Sequence, residues 1–158
     1  MVIIVTIDFV IESLAWIITI CLLLLFIRKN KLREAQLVFL FVQVVTWLFG
    51  LLTVELKLIS YPVHFFQYAT RSSFTFEYFV YPSFCVLFNL NYPEEKSLIR
   101  QSFHYFAYAS GITLFEILLK DYTYLIEYLK WNWYWTWVTL LVTFILSRLY
   151  YKWFFKNG

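Results

Sequence analysis

The chain has 158 residues, of which 62% are hydrophobic and 15% charged, and its formal net charge is +3 at pH 7. Ordinary soluble domains are about 45–50% apolar and about 25% charged, so this composition excludes a soluble globular domain. The small positive charge gives no argument for nucleic-acid binding. We therefore expect one integral membrane domain over residues 1–158, with the lipid bilayer as its immediate partner.

Five apolar stretches are long enough to cross a membrane as helices. About 17–25 helical residues cover the roughly 30 Å of hydrocarbon in a bilayer. The predicted spans are residues 9–27, 36–59, 74–90, 103–119 and 133–155. The third span contains Pro82, which removes a backbone donor, so a neighbouring helix or a hydroxyl must satisfy the freed carbonyl. Tyr78 and Ser83 are the nearby candidates.

The distribution of cations predicts the orientation. No Lys or Arg precedes the first stretch and several follow it, which is the reverse of a cleavable signal. With the N-terminus outside, four cations fall on the outer side, namely Lys57, Arg71, Lys120 and Lys130. Nine fall on the inner side, namely Arg28, Lys29, Lys31, Arg33, Lys96, Arg100, Arg148, Lys152 and Lys156. This excess predicts a multi-pass protein of the cell membrane with its C-terminus in the cytoplasm.

Two outer connections have the pattern of amphipathic helices that lie along the membrane surface. Ser60 and Pro62 suit a helix start before residues 63–68, and Asp121 suits the cap of a helix that continues to Lys130. The second helix would place apolar side chains at helical spacing, namely Tyr124, Leu125, Tyr128 and Leu129. The predicted fold class is all-α, a five-transmembrane-helix bundle with one or two outer interfacial amphipathic helices.

Two further segments have a predicted structural role. On the inner side, Asn91 suits the cap of the fourth helix and Pro93 its first turn, where the acids Glu94 and Glu95 would oppose the helix dipole. The last span begins with four indoles in seven residues, Trp131, Trp133, Trp135 and Trp137. An aromatic belt at the membrane interface is favoured for this run over a site that stacks a ligand.

Four glutamates lie in or at the ends of four different spans, toward the same membrane face. At about 1.5 Å per helical residue, Glu12 and Glu116 are each about 24 Å from the inner edge and Glu77 is about 21 Å from it. In a hydrocarbon layer of about 30 Å, these three lie roughly 6–9 Å below the outer boundary, and Glu55 lies at the surface. Carboxylates at such depths usually face a bundle interior or a wet cavity. Their matching depth predicts that the three converge.

Each carboxylate also has a local structural explanation. Glu77 suits the first turn of a helix, where an acid complements the dipole. Glu55 can pair with Lys57, and Glu116 can pair with Lys120 one turn further on. Taken singly, these explanations are favoured for each residue. The shared depth is the observation that favours a site.

Carboxylates that converge in a low dielectric need either protons or a compensating cation. Arg71 is the expected in-chain partner of Glu77, because it is close in sequence and its planar group suits a bidentate contact. His64 lies in the same outer segment. A hard divalent cation held by oxygen ligands is the alternative, and the identity of any metal stays open. A transition metal is less favoured, because the chain has only two His residues.

Several segments together resemble an uncharacterised family of small five-span membrane proteins from endospore-forming bacteria. The resemblance covers most of the chain. It is carried by Thr46, Trp47, Gly50 and Leu51, by residues 73–79 with Tyr81 and Pro82, by residues 88–90 with Tyr92, Pro93 and Glu94, and by the Trp-rich start of the last span. The resemblance implies a role in the membrane of the sporulating or dormant cell, and it implies no functional residues.

The motifs of enzyme chemistry are missing from the sequence. There is no paired Glu-x-x-His, no His-Glu-x-x-His, no phosphate-binding glycine loop, and no Ser or Cys nucleophile with a nearby base. We predict no catalytic residue. We expect instead an outward-facing pocket that binds a cation, a proton or a small cationic ligand for transport or sensing, and that is formed by Glu12, Glu77, Glu116, Glu55, Arg71 and His64.

Two other functions stay open. A non-catalytic structural or assembly subunit would use its carboxylates to neutralise basic residues of its own or of a partner. A homo-oligomer or a membrane-protein partner is compatible with either function, because five spans form a thin bundle. The third and least favoured is an intramembrane enzyme that modifies lipids with a carboxylate as its base.

Overall fold

Helices make up most of the chain. The computed structural model describes residues 2–156, and the side chains of residues 7–155. Its α-helices are α1 Val2–Phe26, α2 Leu32–Glu55, α3 Tyr81–Leu90, α4 Leu98–Tyr122 and α5 Trp133–Lys156. A short 3₁₀ turn, Lys29–Lys31, precedes α2, and a π-helical segment, Phe74–Val80, leads directly into α3. The all-helical class is confirmed, and each predicted span overlaps one of these helical elements. The side chain of Lys156, one of the inner cations, lies outside the described residues.

Three stretches are long and apolar enough to cross a membrane. They are Ile7–Phe26, Lys29–Glu55 and Trp133–Phe155. Each leaves large apolar side chains exposed, among them Leu24, Leu40 and Leu149. An apolar surface of this kind is unfavourable in water and favourable in hydrocarbon. These three helices therefore indicate association with a membrane.

The short helix α3 lies at the centre of the molecule. It packs against α1, α2 and α5, and most of its side chains are buried. Phe88 of α3 is fully buried against Phe144 of α5, with 4.6 Å between the ring centroids. Val38 and Val42 of α2 close the same core. A helix that is apolar on all sides is typical of such an enclosed position.

The π-helical segment has side chains bonded to its backbone carbonyls. Pro82 has no N–H, so the turn before it lacks one of the donors that a regular helix supplies. Three carbonyls near it accept from side chains: Glu77 from Thr46 at 2.6 Å, Tyr78 from Gln43 at 3.0 Å, and Phe79 from Ser83 at 2.7 Å. The expected compensation by a neighbouring helix and a hydroxyl is present. It comes from α2, whose Gln43 and Thr46 side chains donate to the carbonyls four and five residues before Pro82. The Ser83 hydroxyl donates to the Phe79 carbonyl, which Pro82 does not free, and the Tyr78 hydroxyl is not the donor.

The two connections predicted on the outer side are not helices, contrary to the prediction. Instead, β1 Ile59–Ser60 and β2 Glu127–Tyr128 pair as a two-stranded antiparallel ribbon, with Ile59 opposite Tyr128. Helix α4 continues through Tyr122, so Asp121 lies in its last turn and cannot cap a new helix. The extended chain that follows buries Leu125 and Ile126 under the ribbon. Tertiary burial thus outweighs the helical spacing of this segment. We call this end of the bundle the ribbon end.

The connection predicted on the inner side, between α3 and α4, also differs from the prediction. Helix α4 begins at Leu98 and not near Asn91, whose amide instead bonds the Leu87 carbonyl at the end of α3. Glu94 lies before the helix and forms ion pairs with Arg148 at 2.6 Å and with Lys152 at 3.2 Å. Arg148 is only 4% exposed. Because a buried cation needs a counter-charge, pairing Glu94 with Arg148 is more favourable than placing Glu94 in the first turn of α4, next to the helix dipole.

Glu94 therefore joins the connection between α3 and α4 to α5. Partial burial raises the pKa of Glu94, but hydrogen bonds and charges from Lys152 and Arg148 outweigh that effect. They hold the pKa of this carboxyl below its usual value of 4.5. The carboxylate form is the one that the two cations stabilise.

Candidate functional site

Glu77 and Glu116 line one cavity of about 220 Å³ between α2 and α5, close to the ribbon end. The polar side chains in its wall next to these acids are Tyr61, Tyr81 and Thr136. Two indoles, Trp131 and Trp135, also line it. We call this space the acid cavity. Its walls come from α2, the π-helical segment, α3, α4, α5 and the residues around β1.

Glu116 is held by three hydroxyl donors from three different elements. Its side chain is buried, and the residue is 5% exposed. Tyr81 donates to Oε2 at 2.8 Å, whereas Tyr128 and Thr136 donate to Oε1 at 2.5 and 2.7 Å. The indole of Trp131 donates to the Thr136 hydroxyl at 2.8 Å, which directs the Thr136 proton toward Glu116. Such a set of donors favours a carboxylate that accepts at both oxygens.

Glu77 lies against the bare backbone of α2. Tyr61 donates to its Oε1 at 2.8 Å. A Cβ on Gly50 would meet Cγ and Cδ of Glu77 at 2.9 Å, and it would meet Oγ of Ser72 at the same distance. Only glycine leaves room for this approach. Ser72 is fully buried, and its hydroxyl has no hydrogen-bond partner among the described residues.

The two phenols outside the helices stay protonated. Burial is the main cause that raises the pKa of Tyr61, and the charges of Glu77 and Glu116 add to it. For Tyr128, burial again comes first and the charge of Glu116 second, so its pKa also lies above its usual range. Both side chains therefore act as donors to the acids and carry no charge of their own.

The acid cavity has no cation supplied by the described part of the chain. Among residues 7–155, no Lys, Arg or His side chain forms an ion pair with Glu77 or Glu116. Lys120, the expected partner of Glu116, is bonded to Asp121 at 2.6 Å. Two carboxyl groups in a confined space thus have hydroxyl donors and no compensating charge. The site is complementary to a positive ligand.

The structure does not bring Glu12 into the acid cavity. Glu12 is fully buried on α1, one turn from Asp8, and neither of its carboxylate oxygens has a hydrogen-bond partner among the described residues. The Thr75 hydroxyl and the Phe65 backbone lie beside the carboxyl without normal hydrogen-bond geometry. Thr75 and Glu77 are two positions apart on one helical segment, so their side chains point to nearly opposite sides. Glu12 therefore lies on the side of that segment that faces away from the acid cavity, although its predicted depth matches that of Glu77.

Two other predicted residues lie at the surface, away from the cavity lining. Glu55 is exposed at the end of α2 and makes no ion pair with Lys57 among the described residues. Arg71 is exposed and forms no ion pair with Glu77, which is bonded to Tyr61 instead. A phenol thus occupies the place expected for the guanidinium, because it is a donor that can be buried without a desolvated charge.

His64 supports the site indirectly. It is 6% exposed, and its ring nitrogens lie 2.7 Å from the Tyr61 carbonyl and 2.9 Å from the Thr70 carbonyl. These contacts join the two ends of the connection that carries Tyr61 over the acid cavity. His64 is therefore a structural residue that positions Tyr61, and its ring does not line the cavity.

The sequence pattern does not identify the hydroxyl groups or the glycine of the site. The signal for Tyr81 is its spacing, because residues four apart share one helix face and Tyr81 follows Glu77 by four. Thr136 lies within the Trp-rich run, whose pattern indicates an aromatic belt and not a hydroxyl donor. Tyr128 belongs to the ribbon and Tyr61 directly follows β1, in two connections that the sequence pattern predicts as helices. Gly50 gives no signal of its own.

The described residues contain no group of three or more His, Cys, Asp and Glu side chains that could hold a metal ion. Two carboxylates and several hydroxyls are a small donor set for a divalent cation, which takes six to eight oxygen ligands in the case of Ca²⁺. Comparisons with protein-family models, with curated proteins and with solved structures gave no match. The resemblance to the family from endospore-forming bacteria stays a prediction.

Proposed function

We propose that the protein is a five-span protein of the cell membrane that binds a small organic ammonium ion in the acid cavity, for transport or sensing. The observation that carries this proposal is the convergence of Glu77 and Glu116 on one open cavity without a cation from the described chain. With the N-terminus outside, the ribbon end faces the outer side. The resemblance to the family from endospore-forming bacteria implies that the protein acts in the membrane of the sporulating cell.

The chemistry of the walls favours an ammonium ion over a bare metal ion. An ammonium group brings three donors and no acceptor, which matches carboxylate oxygens. Trp131, Trp135 and Tyr81 line the same space, and aromatic faces attract organic cations at close range. Ca²⁺ would need several more oxygen ligands than these acids provide, and a hydrated Mg²⁺ would make no use of the aromatic walls. The site therefore suits a cation with an organic surface.

Titration calorimetry with ethylammonium tests the proposal on the purified protein in lipid nanodiscs. We expect Glu77→Gln and Glu116→Gln each to weaken binding at least about tenfold, which corresponds to about 1.4 kcal/mol. Glu55→Gln is the matched control, because Glu55 has the same charge and lies outside the cavity. Circular dichroism of each variant verifies that it is folded. Equal affinity in the parent and both cavity variants would rule out this function.

A further inference from the structure

The acid cavity continues as a groove along the bundle. Resting on the proposed function, we infer that its ligand is a primary ammonium with a single hydrocarbon chain, whose head lies at Glu77 and Glu116 and whose chain lies between α2 and α5. The lining extends away from the acids through Val45 and Phe49 of α2 and through apolar residues of α5, namely Val138, Val142 and Leu146. From Thr136 to Leu146 the rise along α5 is about 15 Å.

The part of the groove away from the acids is apolar although it contains hydroxyl residues. Thr139 donates to the Trp135 carbonyl at 2.9 Å, and Thr143 donates to the Thr139 carbonyl at 2.8 Å. Because both hydroxyls are bonded within their own helix, they offer the groove no free donor. Charge is confined to one end of the groove. This pattern matches an amphiphile with a cationic head and an apolar tail.

The groove is open along its side. Phe49 is 59% exposed, Val142 49% and Leu146 41%. They lie on the stretches Lys29–Glu55 and Trp133–Phe155, which are apolar enough to cross a membrane, so the open side faces hydrocarbon. A chain can therefore enter from the bilayer without crossing water.

A phospholipid with an amine headgroup fits the groove less well. Its phosphate lies between the amine and the acyl chains and needs a cationic or hydrogen-bonding partner. The described lining residues include no Lys and no Arg. A single-chain ammonium carries no phosphate and therefore needs no Lys or Arg in the lining.

Two variants on α5 separate the groove from the rest of the surface. Val142→Phe fills the groove, whereas Ile145→Phe adds the same side chain at a position that is 47% exposed and outside the groove. Binding of ethylammonium and of dodecylammonium is measured in nanodiscs, each relative to nanodiscs without protein. We expect Val142→Phe to weaken dodecylammonium binding about tenfold more than it weakens ethylammonium binding, because only the longer ligand reaches this part of the groove. Ile145→Phe should change neither.

The outcomes distinguish this inference from the proposed function. If the parent binds ethylammonium and Val142→Phe leaves dodecylammonium binding intact, the groove holds no chain and the acid cavity alone is the site. Equal losses in Val142→Phe and Ile145→Phe would overturn the inference in the same way. If the parent binds neither amine above the protein-free nanodiscs, the proposed function fails and the groove inference fails with it.

Discussion

At the scale of single residues, the site depends on Gly50, because the absence of a side chain at this position leaves space for Glu77. Gly50 lets the Glu77 carboxyl lie on the α2 backbone, within reach of the Tyr61 hydroxyl. Gly111 of α4 is the natural comparison, because a Cβ there would meet nothing within 4 Å. The two glycines occupy helices of similar length and differ in what surrounds them.

Gly50→Ala should lower the free energy of unfolding by about 1–3 kcal/mol, because the new methyl overlaps with Glu77 and Ser72. It should also weaken ethylammonium binding by displacing Glu77. Gly111→Ala should be neutral or stabilise by up to about 1 kcal/mol, since alanine favours the helix and the space is open. Thermal unfolding followed by circular dichroism measures both. A Gly50→Ala protein as stable as Gly111→Ala would show that Glu77 does not depend on this approach.

The direction of each side chain explains why Glu77 and Glu116 meet as predicted and why Glu12 does not join them. Counting residues from the predicted inner edge gives a predicted depth, and Glu77 and Glu116 share both this depth and a cavity. Glu12 shares the depth alone. Rotation about the helix axis decides the difference, and a π-helical segment alters that rotation between residues 74 and 80. The sequence therefore predicts a depth for each acid, whereas it does not predict the direction of each side chain.

At the scale of elements, the π-helical segment is stabilised by α2. The Thr46 hydroxyl and the Gln43 amide bond the carbonyls of Glu77 and Tyr78. These are the backbone groups nearest to the donor that Pro82 lacks. The wider turn also sets the position of Glu77 relative to the acid cavity. Helix α2 thus positions the site through its side chains as well as through Gly50.

Thr46→Val should lower the free energy of unfolding by about 1–3 kcal/mol, because it leaves a buried carbonyl without a donor at nearly constant volume. Thr143→Val is the control. Its hydroxyl bonds a carbonyl within its own helix, and a change within about 0.5 kcal/mol is expected. Chemical denaturation of both variants in detergent gives the comparison. Similar losses in the two would mean that the Thr46 hydrogen bond has no special role.

The elements differ in how far the sequence predicts them. The helical elements were predictable because long apolar runs with few Gly or Pro residues have one favourable conformation in hydrocarbon. The connections at 60–68 and 121–130 were not, because their side chains are buried by contacts between distant segments. Asp121 is an example: the pattern places it at a helix start, and the structure places it in the last turn of α4.

At the scale of the whole molecule, the two ends of the bundle are built differently. In the acid cavity at the ribbon end, Glu77 and Glu116 accept from hydroxyl groups, whereas the acids Glu34 and Glu94 at the opposite end are paired with cations. There Glu94 forms ion pairs with Arg148 and Lys152. Glu34 forms an ion pair with Lys31 and accepts a hydrogen bond from the Tyr151 hydroxyl. Only the first arrangement leaves negative charge for a ligand. This asymmetry is what makes one end a site and the other a structural joint.

Glu94→Gln should lower the free energy of unfolding by about 1–2 kcal/mol at neutral pH. The loss is smaller than the 3–5 kcal/mol of a fully buried pair, because water reaches Glu94. Since the folded pKa of Glu94 lies below 4.5, its contribution is present above pH 4.5 and is lost as pH falls below that value. The difference in Tm between parent and variant should therefore be constant above pH 4.5 and shrink below it. A difference that persists unchanged at pH 3 would contradict this role.

The most direct test of the account is to locate a bound ammonium ion. Crystals of the protein soaked with 2-bromoethylammonium would show the bromine by anomalous scattering. We expect one strong peak in the acid cavity, with the ammonium density between the carboxyl groups of Glu77 and Glu116, and no such peak in crystals of Glu116→Gln. A peak beside Asp8 and Glu12, or an empty acid cavity at saturating ligand, would contradict the central claim.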